Sequence, residues 1–300
     1  MTAMYSMTTQ DSRPAGDDPR RAGSGRLAMT AGRRVALLFG VPVCVALVAA
    51  IGLSFVGDIG NASYPVHLMF PASATRIAVS NEGGQLTLRQ AAIDQATLTG
   101  TAHYSLVRPR PPAASLSGGV ASYAYRCRIP VGNCGLDATV TVPPGMAASV
   151  STDGGNAAVV GTTGTVSLNT GGGELTAQNV SGTVMLSTGG GDITADNVSG
   201  ALSLNTGGGD IQASAIRSTG VTASSGGGDI TIVFTTAPHD VSVSTGGGDI
   251  TIEVPPGPAR YRVTTSPGGG SVSDSIPSNS SAPNVITATT GGGNITIRYS

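Results

Sequence analysis

The second half of the chain alternates hydrophobic and polar residues with a period of two. Val184 and Leu186 are separated by polar or flexible side chains, and so are Ile193 and Ala195 a few residues later. This alternation is typical of strands that are buried on one face only. A glycine-rich segment separates the two runs, and a second polar turn follows. Each repeat therefore predicts a strand, a glycine turn, another strand and a second turn.

The glycine turn is a five-residue phrase of three glycines, an acid and an aliphatic residue. Clear copies occupy residues 171–175, 189–193, 207–211, 226–230 and 246–250, and weaker copies occupy 268–272 and 291–295. Successive copies start 18, 18, 19, 20, 22 and 23 residues apart. A period of about twenty residues indicates a stacked repeat architecture.

About eighteen residues suffice for one coil of a flattened solenoid, in which each strand pairs with its copy about 4.8 Å away. We therefore predict an all-β fold, a β-helix-like β-solenoid of two-stranded coils. An antiparallel β-sandwich of hairpins is the alternative, but near-identical consecutive copies favour stacking. Earlier echoes at 76–88 and 153–156 extend the repeat to roughly nine coils. The Pro-rich segment 108–112 predicts a loop.

The glycine triplets are interpreted as structural turns, in which the absence of a β-carbon permits positive φ. The residues concerned are Gly171, Gly172, Gly173, Gly189, Gly190, Gly191, Gly207, Gly208, Gly209, Gly226, Gly227, Gly228, Gly246, Gly247 and Gly248. At the second turn Val180, Val198 and Ile216 hold equivalent positions. We expect them to point inward from that corner.

Charge and composition narrow the class of partner. Charged residues make up 11% of the chain, against about 25% in a typical globular protein. The core must be thin, because Trp is absent and Phe numbers 4. Residues 151–300 carry ten acids and four arginines, a net charge of −6. This acidic balance argues against nucleic acid as a partner.

The one long apolar segment is 35–57, which has 23 residues and no charge. It predicts a transmembrane helix. Arg33 and Arg34 precede it, and the tail 1–34 holds six arginines against three aspartates, which predicts a disordered cytoplasmic tail and extracellular repeats. The alternative is a signal peptide cleaved after Ala62, which would release a secreted protein. The remaining domains are then a linker (58–74), an N-terminal β region and cap (75–147) and the solenoid (148–300).

The cysteines fit an extracellular location. Cys127 and Cys134 enclose six residues in the predicted cap, and we expect them to form a disulfide there. Free or metal-bound thiols are the alternative. Cys44 lies within the apolar segment.

Enzymatic chemistry finds no support in the sequence. His67, His103 and His239 lie far apart, and a phosphate-binding lysine is impossible because all 16 basic residues are arginines. Serines and threonines are assigned to the solvent faces of strands. A sugar-cleaving site would combine aromatic platforms with a facing carboxylate pair, which the repeats lack. We predict a protein without catalytic residues or cofactor.

The acids of the phrase form the sharpest candidate site. On a solenoid they would form a column with one carboxylate per coil, namely Glu174, Asp192, Asp210, Asp229 and Asp249. Such a column could bind calcium, as in a calcium-binding β-roll, because calcium prefers oxygen ligands at glycine-rich turns. Alternatively, the acids merely solvate the strand starts and discourage lateral aggregation.

The Thr-Gly-Gly-Gly-Asp-Ile copies, the strand 138–143 and the cysteine pair before it resemble the bacterial "putative adhesin" family, in its actinobacterial type. The resemblance covers about residues 70–300. It implies a β-helix-like domain outside the cell, without assigned catalytic residues. The implied function is a membrane-anchored scaffold that binds a cell-wall polymer or surface protein. A sensory or structural ectodomain that reports envelope stress through a membrane partner is the alternative.

The C-terminal segment 295–299 directly follows the last glycine turn. As the last strand of a stack it would present unpaired backbone groups. We therefore predict self-association through a C-terminal coil edge.

Overall fold

A computed structural model describes residues 62–105, 108–109, 113–127 and 134–300. The predicted cytoplasmic tail (1–34) and transmembrane segment (35–57) lie outside these residues. Every element within them is a β-strand, which confirms the all-β class. In the same part of the chain no helix has the length and apolar character needed to cross a membrane.

The described residues form 23 strands, numbered in sequence order. The first seven are β1 (Ala62–Met69), β2 (Arg76–Asn81), β3 (Leu86–Gln90), β4 (Thr97–Tyr104), β5 (Ser115–Ser117), β6 (Val120–Tyr125) and β7 (Gly135–Val142). The next eight are β8 (Ala147–Thr152), β9 (Ala157–Val160), β10 (Val166–Thr170), β11 (Leu175–Val180), β12 (Val184–Thr188), β13 (Ile193–Val198), β14 (Leu202–Thr206) and β15 (Ile211–Ile216). The last eight are β16 (Gly220–Ser225), β17 (Ile230–Phe234), β18 (Asp240–Thr245), β19 (Ile250–Val254), β20 (Tyr261–Pro267), β21 (Val272–Asp274), β22 (Asn284–Thr290) and β23 (Ile295–Tyr299).

The strands form two sheets that face each other. Sheet A has the order β1-β4-β7-β3-β9-β11-β13-β15-β17-β19-β23-β21, and sheet B has the order β20-β22-β18-β16-β14-β12-β10-β8-β2-β6-β5. Each coil places one strand in sheet B and the next in sheet A. The turn that joins them is called the glycine corner, and the turn that leads to the following coil is called the second corner. Ten such coils run from β2 to β23.

Copies of the repeat pair with one another in parallel. Leu186 lies beside Leu168 on one side and Leu204 on the other, and Ile193 lies between Leu175 and Ile211. Equivalent residues therefore meet themselves from coil to coil. This pairing confirms the β-solenoid and excludes an antiparallel sandwich for the repeats.

Alternate residues of both sheets fill a narrow aliphatic core. Leu168, Leu186 and Ile193 are almost completely buried. The residues predicted to point inward from the second corner do so. In later coils other apolar side chains occupy the equivalent position, so that a buried column runs along this corner. Its members are Val180, Val198, Ile216, Phe234 and Val254, all at most 1% exposed.

The N-terminal end of the stack departs from sequence order. The coil β2–β3 lies between β6–β7 and β8–β9, so the second coil along the chain is the outermost. Strands β4 and β1 extend sheet A beyond β7 in antiparallel fashion, and the short β5 covers the edge of β6. Strand β1 falls within the residues expected to form the linker 58–74. The irregular N-terminal region therefore covers this end of the stack.

The C-terminal end shows the same exchange of order. Coil β22–β23 is inserted between β18–β19 and the outermost coil β20–β21. Strand β23 therefore has a partner on each side: Ile295 pairs with Ile250 and with Val272. The expectation that 295–299 forms the exposed edge is wrong, because β20 and β21 occupy that position. Self-association as such stays a prediction.

Pro267 explains why β20 is the edge strand. It occupies the position that a threonine holds in the inner coils, and it pairs with Thr290. Proline lacks the N–H group of an ordinary ladder residue, so it is confined to edge strands or strand ends. The repeat period is similar for all copies and does not show which coil lies at the end of the stack. Pro267 indicates that the coil containing β20 does.

Candidate binding surface

The glycine corner brings neighbouring coils into close backbone contact. A β-carbon on Gly189 or Gly191 would lie well inside van der Waals contact of a carbonyl oxygen of the preceding coil, whereas one on Gly190 would meet no atom within 4 Å. None of these three glycines has positive φ. The predicted positive φ is therefore wrong for this triplet, whereas the first and third glycines are required because close stacking leaves no room for a β-carbon.

A buried hydroxyl ladder holds each glycine corner. The Oγ1 of Thr188 donates to the carbonyl oxygen of Gly173 in the preceding coil at 2.9 Å, and accepts from the N–H of Gly191 at 3.1 Å. Equivalent hydroxyls of the other inner coils donate in the same way, and they belong to Thr170, Thr206, Ser225, Thr245 and Thr290. The assignment of all serines and threonines to solvent faces missed this column. Their fixed place directly before the triplet was the available signal.

The acids form a second ladder at the surface of the same corner. The carboxylate of Asp192 accepts the backbone N–H of Asp210 at 2.8 Å, and Asp210 accepts that of Asp229 at 2.8 Å. Asp249 and Asn294 continue the series. Each short acid thus satisfies a backbone donor of the next coil.

Glu174 sits at the acid position one coil before Asp192. Its own N–H donates to Asn156 Oδ1 at 2.8 Å. Within the described residues, no hydrogen bond joins the carboxylate of Glu174 to the N–H of Asp192. The extra methylene group of glutamate accounts for this break, because it carries the carboxylate past the neighbouring amide.

These contacts give the predicted calcium column a structural role. One oxygen of each ladder aspartate is occupied by a backbone donor, which leaves the other oxygen for solvent or a cation. Across the described residues, no group of three or more acids, histidines or cysteines is close enough to hold a metal ion. Calcium binding by Glu174, Asp192, Asp210, Asp229 and Asp249 stays a prediction.

The second corner uses left-handed backbone at three successive coils. Asn179, Asn197 and Ala215 have φ of 56°, 54° and 52°. The side chain of Asn197 donates to Asn179 Oδ1 at 2.6 Å, so the asparagines also link neighbouring coils. Ala215 has no such side chain, although it holds the same conformation. Left-handed backbone is unfavourable for residues other than Gly, Asn and Asp.

The outer face of sheet A carries one row of side chains, most of which bear a hydroxyl group. Strand pairing aligns Thr99, Thr139, Thr87, Ala158, Thr176, Thr194, Gln212, Thr231, Thr251, Thr296 and Ser273, in this order. We call this line the threonine row. Eight of its eleven positions are threonine, all of them exposed or half-buried. Neighbouring positions lie about 4.8 Å apart, as in any β-ladder.

The outer face of sheet B is less uniform, and it carries Arg76, Asp240 and Arg262 at exposed positions. It bears mostly serine, with Asn169, Asn205 and the 43% exposed Met185 among them. Met185 lines an open groove of about 360 Å³, whose floor is formed by small residues such as Ala201 and Gly220. The two faces therefore differ in chemistry: sheet A presents mainly threonine, whereas sheet B presents serine, asparagine and one exposed methionine.

The N-terminal end collects most of the described aromatic side chains. The guanidinium of Arg108 lies 4.4 Å from the ring centroid of Tyr64, whose hydroxyl donates to the carbonyl of Pro109. Tyr123 is 2% exposed, and its hydroxyl has no hydrogen-bond partner among the residues that the structure describes. Burial, with a smaller contribution from Tyr64, raises the pKa of Tyr123 to about 12.

The histidines do not form a site with one another. His103 Nε2 lies 3.1 Å from Asp137 Oδ2, and both side chains are substantially exposed. The other carboxylate oxygen of Asp137 accepts the N–H of Gln85 at 2.7 Å, so this acid begins the acid ladder. The contact between His103 and Asp137 is thus part of the surface of a stacked corner.

The predicted disulfide between Cys127 and Cys134 is present. It closes the turn from β6 to β7, which is the glycine corner of the outermost coil. The N–H of Cys127 donates to the Glu82 carboxylate of the neighbouring coil at 3.0 Å. At this outermost corner, where no further parallel coil stacks, a disulfide therefore stands in place of the glycine triplet.

Together, these features define a parallel β-solenoid with two broad outer faces that carry few charges, among them the ion pair of Arg298 with Glu253 on sheet A. The chain belongs to the Toastrack DUF4097 family, whose model matches residues 136–298. This membership confirms the β-strand-repeat family expected from the sequence. No curated protein matches the chain.

Two solved structures resemble the chain. One is a "putative adhesin" from Bacteroides fragilis, with 15% identity, a TM-score of 0.46, and coverage of 80% of this chain and 97% of the other. Another is a "putative cell adhesion protein" from Clostridium sporogenes, with 10% identity, a TM-score of 0.31, and coverage of 80% and 100%. At these scores the likeness does not bear on function.

Proposed function

We propose that this protein is a membrane-anchored extracellular scaffold of the adhesin type, which binds a cell-wall polymer and has no catalytic activity. The observation that carries the proposal is the threonine row. Nine of its eleven positions bear a hydroxyl group, Ala158 and Gln212 being the exceptions, and the row contains no charged residue. A long, flat array of this kind suits an extended polar polymer better than a small molecule.

The anchor and the topology rest on the uncharged segment 35–57 and the arginines before it. Protease treatment of intact cells that produce the full-length protein tests this part. Digestion of the repeats on whole cells, with the protein remaining in the membrane fraction, supports it. Recovery of the intact protein in the medium instead indicates a cleaved signal.

Binding is tested with the full-length protein in detergent micelles and insoluble cell-wall material. The face variant carries Thr194→Glu and Thr231→Glu in the threonine row, and the control carries Ser203→Glu and Ser242→Glu on sheet B. Both add two carboxylates at exposed or half-buried strand positions. We expect the face variant to lose at least tenfold in bound fraction at equal melting temperature, and the control to bind like the parent.

Equal losses in both variants would exclude the threonine row as the binding face, and no binding by the parent would exclude the wall polymer as ligand. Capture of a membrane regulator by the parent, without wall binding, would instead support the sensory ectodomain. Both results leave the solenoid architecture unchanged. They separate the two functions because only the first requires the threonine row.

A further inference from the structure

The two ends of the solenoid follow one topological rule. At each end the outermost coil covers a coil that lies nearer to the chain terminus in sequence. Coil β6–β7 covers β2–β3, and coil β20–β21 covers β22–β23. The C-terminal coil β22–β23 therefore occupies a slot between two other coils of the same chain.

The outer coils differ in how firmly they are held. The N-terminal one is closed by the disulfide between Cys127 and Cys134 and flanked by β4, β1 and β5. The C-terminal one, here called the lid (β20–β21), lacks these supports. All three residues of β21 are exposed, and Tyr261 is the only buried residue of β20. Tyr261, the 4% exposed Ile276 just after β21 and the partly buried Val263 are the apolar side chains that attach the lid to the core, fewer than in an inner coil.

The C-terminal coil makes specific contacts on its inner side. Thr290 donates its hydroxyl to the carbonyl oxygen of Gly248 at 2.8 Å, and the N–H of Asn294 donates to Asp249 Oδ1 at 2.6 Å. A β-carbon on Gly291 or Gly293 would clash with backbone of the coil below. The slot therefore accommodates a strand only if it carries a hydroxyl residue followed by glycines at these positions, as the repeats of this chain do.

The lid side repeats the same pattern in weaker form. The N–H of Gly268 donates to the carbonyl of Thr290 at 2.7 Å, and that of Ser271 to Asn294 Oδ1 at 3.0 Å. The hydroxyl that would complete the buried ladder is missing, because Pro267 stands in its place. The lid can therefore separate from the C-terminal coil at lower cost than any inner coil.

A nine-residue segment, 275–283, joins the lid to the C-terminal coil. It crosses the edge of β20, where the N–H of Asn279 donates to the carbonyl of Tyr261 at 2.8 Å. Extended, nine residues reach about 30 Å. That length is sufficient to carry the C-terminal coil into an adjacent molecule.

We propose that the C-terminal coil exchanges between two copies of this chain. The β22–β23 coil of each molecule fills the slot beneath the lid of the other, with residues 275–283 as the hinge. All ladder contacts of the coil are reproduced in the exchanged dimer, because the slot is identical in both copies. Exchange of an identical element is a low-cost route to a dimer. For a surface-binding scaffold it would double the number of binding faces.

Cysteine trapping tests the exchange with full-length chains that carry Cys44→Ser. Ser266 of the lid pairs with Thr289 of the C-terminal coil, and both are exposed. One preparation carries S266C and a second carries T289C. They are mixed, warmed to just below the melting temperature, cooled and oxidised. We expect a covalent dimer on a non-reducing gel that neither preparation yields alone.

Two controls make the result decisive. The pair S187C and N205C, placed on separate chains, probes inner strands β12 and β14, which do not exchange, and should yield no covalent dimer. S266C and T289C in one chain should close an internal disulfide, which shows that the positions are in range. Formation of that internal disulfide without a mixed dimer overturns the proposal. A covalent dimer of S266C alone also overturns it, because it indicates contact between lid edges.

Discussion

The hydroxyl of Thr188 donates a hydrogen bond to the carbonyl oxygen of Gly173, one coil earlier, at 2.9 Å. It also accepts from the N–H of Gly191 in its own coil at 3.1 Å. One buried hydroxyl thus joins two glycine corners and fixes their distance. The third glycine of each triplet supplies both backbone partners, which ties the threonine and the glycines of the phrase into one unit.

We expect Thr188→Val to lower the free energy of unfolding by about 1–3 kcal/mol, since it leaves a buried carbonyl and a buried N–H without this partner. Thr188→Ser retains the hydroxyl and should lose less, as Ser225 serves the same role in another coil. Urea unfolding followed by circular dichroism measures both. Equal losses would show that shape, and not the hydrogen bonds, governs the site.

The glycines of one triplet should respond differently to alanine. Gly190→Ala meets no neighbouring atom and needs no positive φ, so it should leave stability unchanged or raise it by about 0.4–1 kcal/mol through a less flexible unfolded chain. Gly191→Ala places its methyl group against the backbone of Gly173. It should cost about 1–3 kcal/mol or more. Thermal melting compares the two, and similar melting temperatures would contradict the stacking argument.

The break in the acid ladder should be repairable. Glu174→Asp shortens the side chain so that its carboxylate can accept the N–H of Asp192, and we expect a gain of about 1 kcal/mol. Asp210→Glu is the reciprocal change, which removes the bond to the N–H of Asp229. It should lose a similar amount. Chemical denaturation without calcium measures both, and a loss in Glu174→Asp would exclude the ladder as a source of stability.

Added calcium tests whether the column of acids also binds a cation. If the column binds the ion, millimolar calcium should raise the melting temperature of the parent, because a ligand that binds only the folded state stabilises it. Asp210→Asn together with Asp229→Asn should abolish that shift. An unchanged melting temperature of the parent would leave the acids with their structural role alone.

The left-handed corner offers a stabilising substitution. Ala215→Asn places at φ 52° a residue that tolerates this region, and we expect a gain of up to about 1 kcal/mol. Asn197→Ala is the matched reverse change, and it also removes the bond to Asn179. Opposite shifts of the urea midpoint are expected. Shifts of the same sign would mean that packing around the corner outweighs its backbone conformation.

The sequence predicted the features that depend on local periodicity. The inward direction of Val198 and the pairing of Leu186 with its copies follow from a period of two within a period of about twenty. It did not predict the order of coils at the ends, where Gly291 stacks on Gly246 instead of Gly268. Near-identical copies fit each other's positions almost equally well, so only local defects such as Pro267 indicate which copy is terminal.

The binding surface was harder to predict than the fold. A threonine in a strand is equally compatible with a solvent face and with a buried ladder, and Thr188 and Thr194 take one role each. What separates them is the hydrogen bond to the neighbouring coil, which depends on stacking. For the same reason the acid of Asp192 was visible in the sequence, but its bond to the next backbone amide was not.

The unpartnered hydroxyl of Tyr123 predicts sensitivity to alkaline pH. Burial raises its pKa to about 12 in the folded protein, whereas the unfolded chain titrates near 10. The unfolded state therefore loses its proton first, and the stabilisation present below pH 10 is lost as the pH rises toward 12. The loss should reach about 3 kcal/mol once the pH passes 12, since each of the two pH units between the values corresponds to about 1.4 kcal/mol.

Tyr123→Phe should remove this part of the pH dependence. At pH 7 it should change stability by less than about 1 kcal/mol, because the lost hydroxyl has no partner to leave unsatisfied. Tyr299→Phe is the matched control, because the Tyr299 side chain is 36% exposed at the end of β23 and the change removes a hydroxyl group from the surface. Urea midpoints at pH 8, 10 and 11 provide the measurement. A parent-like alkaline decline in Tyr123→Phe would show that other groups, such as Tyr125 with its similarly raised pKa, govern the alkaline transition.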